Sequence, residues 1–160
     1  MKKKTLKNKF QWTPKHLGHE KGTRPIPPLK IDSRIPKLWI TSLPPEEKEL
    51  KKGKDLVTDI YFVNSSGIVL DSVIATAGGL ARGYADDPEF LEAFHRPGEV
   101  IEYTNVANGE AVRIFEHERI YDSDWMLSIG FEVKMNDKLV KLNSSFSKVT
   151  KGFEEEALLY

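Results

Sequence analysis

From Trp125 to Met135 the chain alternates without a fault. Trp125, Leu127, Ile129, Phe131, Val133 and Met135 fall on one parity, and Met126, Ser128, Gly130, Glu132 and Lys134 fall on the other. A period of two puts successive side chains on opposite faces, so this stretch predicts a long antiparallel strand with one buried face. Fully burying five or six such side chains contributes on the order of 10 kcal/mol in gross transfer terms, enough for this strand to fix the core. Asn136-Asp137 follows as a tight turn. Leu139 to Val149 then predicts a partner strand with Val140, Leu142 and Phe146 on a shared face.

Upstream, Leu56 to Val63 and Ile68 to Thr76 are rich in β-branched and aromatic residues, and Asn64-Ser65-Ser66-Gly67 between them reads as the turn of a hairpin. Both parities of these strands carry apolar groups, interrupted by Asp59 and Asp71. That pattern predicts central strands covered on both faces, with the N-terminal segment as the candidate cover. Val100 to Val106 is the next strand. Asn108-Gly109 predicts a type I′ turn back into the strand that begins at Val112, because this dipeptide tolerates two successive positive φ values. In that strand Val112 and Ile114 share a parity, which Glu116 and Glu118 then take over while Phe115, His117 and Tyr121 lie on the other. A bulge near Glu116 would switch the faces, as would a strand passing between sheets.

Two segments read as short helices. In Ser42-Leu43-Pro44-Pro45-Glu46-Glu47, running on to Gly53, Thr41 or Ser42 is placed to cap, acids come early and lysines late. Asp87-Pro88-Glu89-Phe90, running on to Phe94, starts with a cap and a first-turn proline. Short strands punctuated by Asn, Asp and Gly, without βαβ alternation, predict an all-β fold. The expected form is an antiparallel β-sandwich of immunoglobulin-like size with about six or seven strands, with a closed β-barrel as the alternative. The organisation expected is a disordered basic tail over 1–9, an irregular Pro-rich arm with a short helix over 10–54, the β-sandwich over 55–152 and a C-terminal tail over 153–160.

Charge sharpens this division. The net charge of zero hides 15 basic and 5 acidic residues in 1–54 against 9 basic and 19 acidic residues in 55–160. Seven of the nine prolines lie at or before Pro45, so two kinds of chain meet near Gly53. The five lysines of residues 1–9 suit a solvated terminus or a contact with an anionic polymer. Within 10–45, Phe10, Trp12, Leu38, Trp39 and Ile40 are too apolar for a plain linker. They predict a strap packed on the β-domain, with Trp12 and Trp39 as anchors, since aromatic rings bury large areas. Arg24-Pro25-Ile26-Pro27-Pro28-Leu29-Lys30 is extended by its prolines and also has the spacing read by grooves that bind polyproline II.

The chain has no cysteine, which excludes disulfides, thiol nucleophiles and thiolate metal sites. No apolar run approaches the roughly 20 residues of a membrane helix, and a cytoplasmic setting is expected. His16 and His19 stand at i, i+3 without further ligands, and His117 is flanked by Glu116 and Glu118, which point to the opposite face of a strand. Asp86-Asp87, Asp122 and Asp124 lack calcium-loop spacing, and no glycine motif has phosphate-binding or dinucleotide spacing. No catalytic, cofactor-binding or metal-binding residue is therefore assigned, and no cofactor. The expected function is a non-enzymatic interaction module that binds a protein partner or itself through its N-terminal arm or a strand edge. Trp12, Pro25, Pro28, Trp39, His117 and Tyr121 are its candidate contact residues. One alternative is nucleic-acid binding by the basic N-terminal segment. Another is a carbohydrate-binding or hydrolytic protein with an acidic cleft lined by Trp125, Tyr121 or Tyr103.

Overall fold

The computed structural model describes residues 2–13, 15–17, 30–32, 34–43, 57–81, 95–118, 125–146 and 155–160. Eleven strands are formed there: β1 (Thr5–Lys7), β2 (Lys15–Leu17), β3 (Lys30–Asp32), β4 (Leu38–Leu43), β5 (Val57–Asn64), β6 (Leu70–Ala81), β7 (His95–Val106), β8 (Glu110–Glu118), β9 (Trp125–Met135), β10 (Lys138–Phe146) and β11 (Glu156–Leu159). Five of them make one antiparallel sheet in the order β1-β8-β5-β4-β11, and four make a second in the order β10-β9-β6-β7. Among the described residues β2 and β3 pair only with each other. The described strands of the two large sheets form separate sheets and not one closed on itself, which rules out the closed barrel. Among the described residues no helix is long and apolar enough to cross a membrane.

The alternation of β9 has the predicted consequence. Ile129, Phe131 and Val133 are buried and Met135 packs against the same core. Opposite them in register stand Val73, Ala75 and Ala77 of β6 and Val140, Leu142 and Ser144 of β10. The five-stranded sheet supplies Leu38, Ile40, Ile60, Phe62, Val112 and Ile114 to that core, where the Phe62 and Phe131 ring centroids lie 5.5 Å apart. β9 and β10 form a true two-residue hairpin. Asn136 and Asp137 have φ of 48° and 60°, the pair of left-handed values that a type I′ turn requires.

Neither of the two hairpins expected upstream forms. β5 belongs to the five-stranded sheet and β6 to the four-stranded one, and likewise β8 and β7. Both turns therefore carry the chain from one sheet to the other. At Asn108-Gly109 only the glycine has a positive φ, 78°, and Glu110 N donates to Ala107 O at 3.1 Å. A type I′ turn would need Asn108 left-handed as well.

The expected bulge does form, in β8. Ile60 faces Phe115 while the next residue, Tyr61, faces Arg113, which leaves Ile114 as the extra residue. The switch brings Ile114, Phe115 and His117 all into buried positions and leaves Glu116 exposed. At the start of the first predicted helix, Thr41 and Ser42 are not caps but part of β4, paired with Tyr61 and Ile60. The rest of that helix, and the one at 87–94, lie outside the described residues. The segment expected as a C-terminal tail supplies β11, whose partly buried Leu158 and Leu159 pack on the core and whose backbone pairs with β4.

Candidate functional site

The N-terminal segment crosses the outer face of the five-stranded sheet. In each central strand of that sheet one parity feeds the core and the other makes a second apolar surface. Trp39, Val63 and Ala111 stand in one cross-strand row, with Leu6 of β1 at its end. Tyr61 lies beside the row, and Phe10, Trp12 and Leu43 pack against it. Phe10 meets Tyr61 at 5.4 Å between ring centroids, and Trp12 meets Trp39 edge-on at 5.3 Å. Residues 60–64 of β5 are consequently buried on both faces. The expectation of a two-sided cover thus holds for β5, but not for β6, whose Asp71 and Thr76 are exposed.

For residues 1–9 the sequence suggests a basic tail. In the structure residues 2–13 run as one strap, held by the pairing of β1 with β8 and by the Lys4 ion pair with Asp59. β1 pairs with β8, and the pairing continues as Arg113 N donates to Lys4 O at 2.9 Å. Lys4 Nζ sits 3.2 Å from Asp59 Oδ2, and Arg113 Nη1 lies 3.0 Å from Asp59 Oδ1 and 2.6 Å from Glu116 Oε1. Tyr61 OH donates to Asp59 Oδ2 at 3.3 Å, and Arg113 Nη2 donates to Lys2 O. From the other sheet, Tyr103 OH donates to Arg113 O at 2.7 Å and accepts from Lys4 N at 3.1 Å. Asp59, which interrupts an apolar strand in the sequence, is thus the hub of this lock, set one residue from the β8 bulge.

The lock perturbs its own members. Burial pushes the Tyr103 and Tyr61 hydroxyls above the ordinary tyrosine value. Burial alone would lower the Lys4 ammonium, but its bonds to Tyr61 and Asp59 outweigh that and hold it above the ordinary lysine value. Both carboxylate oxygens of Asp59 are engaged, one by Lys4 of the strap and one by Arg113 of β8.

A second polar centre closes the end where both turns cross between sheets. Asn64 is fully buried. Its Nδ2 donates to Ile68 O at 2.8 Å and to Val106 O at 3.0 Å, and its Oδ1 accepts from Ser66 N at 3.0 Å. Gly67 N donates to Asn108 Oδ1 at 2.9 Å, and Gly109 N donates to Asn64 O at 2.7 Å. Asn8 N of the strap reaches Gly109 O at 2.9 Å, so strap and crossings are tied together. The asparagines that the sequence marks as turn formers are used here to stitch two turns.

Three of the candidate contact residues, Trp12, Trp39 and His117, are among those described. Trp12 and Trp39 come together, but against each other: Trp39 is buried, with Nε1 donating to Ser65 Oγ at 2.9 Å, and Trp12 is half-buried. His117 is buried in β8 opposite Thr58. Pro25, Pro28 and Tyr121 lie outside the described residues, as do His19, Asp86, Asp122 and Asp124. Tyr103, named for a cleft, is a core residue. Among the described residues no group of three or more metal-ligating side chains is gathered. Missed in the sequence were Asn64 and the Asp59–Arg113 pair. Only an aspartate within an apolar strand signalled the latter.

Fold and site together define an all-β chain of two antiparallel sheets with a strapped outer face. The chain matches no family model, no curated protein and no solved structure.

Proposed function

We propose that the protein is a β-sandwich of immunoglobulin-like size that acts as a non-enzymatic interaction module, docking a protein through a strand edge in a cytoplasmic setting. The absence of cysteine supports that setting. The observation that carries the docking mode is the four-stranded sheet. Its terminal strands β7 and β10 are long, and among the described residues nothing pairs with their outer sides. Unpaired edge backbone is a template for a further strand. The strap is spent on its own sheet through Asp59, Tyr61 and Trp39, which favours the edge over the arm as the docking element.

Lysines are well placed for a test. Crosslinking mass spectrometry on the full chain in an extract of its native cell should give links from Lys138 and Lys141 of β10 to another polypeptide. Links confined to Lys2, Lys3, Lys7 and Lys9 would overturn the edge reading.

Those four lysines favour a second reading, in which the strap contacts nucleic acid. All are exposed, and none is among the ion pairs of the lock. Binding of that kind falls steeply with salt. A full-length chain that shifts neither single- nor double-stranded DNA at low salt would remove it.

A further inference from the structure

The two edges of the four-stranded sheet are complementary to each other. Side chains on its outer face form rows that the strand register fixes. Lys141 stands opposite Glu132, Glu132 opposite Ile74, and Ile74 opposite Glu102. One row therefore begins with a lysine on β10 and ends with a glutamate on β7. Lys141 is exposed and 2.8 Å from Glu132, and Glu102 is exposed at the far edge. The neighbouring rows end in Leu139 and Thr104 on one side of it, and in Asn143 and Val100 on the other. Leu139 and Val100 are two of the large apolar side chains left exposed, at 57% and 63%.

Strand direction agrees with the charges. Each neighbouring pair in β10-β9-β6-β7 is antiparallel, so β10 and β7 run in opposite directions. A second copy set beside the first in the same orientation brings its β10 antiparallel to β7 of the first, and the alternation continues. In that register Glu102 meets the second copy's Lys141, Val100 meets its Asn143 and Thr104 meets its Leu139. The lysine would then lie between two carboxylates, Glu132 of its own chain and Glu102 of its neighbour. Pairing of one edge with itself gains nothing from this code, because it sets like charges close together.

We propose that a second copy of this chain is the occupant of the edge, joined head to tail by β7 against β10 with Glu102 and Lys141 fixing the register. This deepens the edge-docking reading and rests on it. Because the two surfaces differ, the contact is heterologous and extends beyond a dimer unless the sheet twist closes a ring. Edge lysines are also a common device against such pairing, and the charge-reversal experiment separates the two roles of Lys141.

The test is sedimentation velocity on the purified full chain from micromolar to millimolar concentration at low salt. Wild type should associate with rising concentration, and more weakly as salt is added. E102K and K141E should each weaken association by about tenfold or more, since each turns one attraction into a repulsion. An equimolar mixture of the two variants should recover it, because alternating copies then set opposite charges against each other at every contact. The double variant E102K/K141E should recover it alone, with both signs exchanged. Circular dichroism of each variant checks that these exposed changes leave the fold intact. A wild type monomeric throughout the range, or association indifferent to both reversals, would overturn the proposal. In the first case, crosslinks from Lys138 and Lys141 to other polypeptides in the extract would leave edge docking standing with a different partner.

Discussion

Asn64 concentrates more polar work than any other side chain described. It is fully buried and ties the β5–β6 crossing to the β7–β8 crossing through Ile68 and Val106. Asn64→Ala takes the partner from Val106 O, in a buried bond, and from Ile68 O and Ser66 N, in part-buried ones, and a buried group left unsatisfied costs about 1–3 kcal/mol. Urea denaturation should show a loss of about 3 kcal/mol, and a loss below about 1 kcal/mol would mean that the crossings hold without it. At Gly109 the requirement is steric. With φ at 78°, an added Cβ would fall 2.4 Å from Asn8 Oδ1. Gly109→Ala should therefore lower stability by about 1–2 kcal/mol in the same assay, chiefly from left-handed strain, with the Asn8 side chain turning aside. The lock gives a pH signature. Tyr61, Tyr103 and Lys4 all hold their protons more tightly folded than unfolded. Their stabilisation is complete below about pH 10 and is lost as pH rises through the raised folded values. A Tyr103 phenolate could no longer donate to Arg113 O. The urea midpoint should fall above about pH 10, and fall less in Tyr103→Phe. A midpoint flat to high pH, or identical slopes, would contradict the lock.

Among the elements, legibility followed how local the determinants were. β9 could be read from its own side chains, because a strict period of two has one solution when a single face is buried. The Asn136-Asp137 turn was legible for the same reason. The Asn64–Gly67 and Asn108-Gly109 turns were not, since a turn sequence reports that the chain reverses, not which sheet receives the next strand. The second fact depends on Asn64 bonding to Ile68 and Val106, the latter across 42 residues of chain. The bulge was foreseeable from broken alternation at Glu116. Its position at Ile114 was not, because register against Ile60 and Tyr61 decides it. For the strap, Trp12 declared itself as an anchor by size, whereas Trp39 proves to be part of β4 in the sheet that the strap covers, and the fixing of Lys4 required Asp59 on a distant strand. Trp12→Ala removes a half-buried ring from Trp39 and should cost about 2 kcal/mol, below the value for a fully buried aromatic. Trp39 emission should shift to the red as its cover is lost. Unchanged stability and emission would show that the strap does not seal that face.

At the scale of the molecule, the two outer faces differ. One is covered by the strap; the other carries the exposed Thr76 and Ser128 and, among the described residues, leaves the outer sides of β7 and β10 unpaired. The strap packs on its own domain, and β7 and β10 are the proposed docking edges. Hydrogen–deuterium exchange of the full chain, dilute and concentrated, addresses both halves at once. The prediction is that the Asn8 and Arg113 amides are protected at every concentration, while edge amides of β7 and β10 gain protection as concentration rises. Strap amides that become protected only on concentration, with the edges unchanged, would instead make the N-terminal segment the clasp between copies and overturn edge docking.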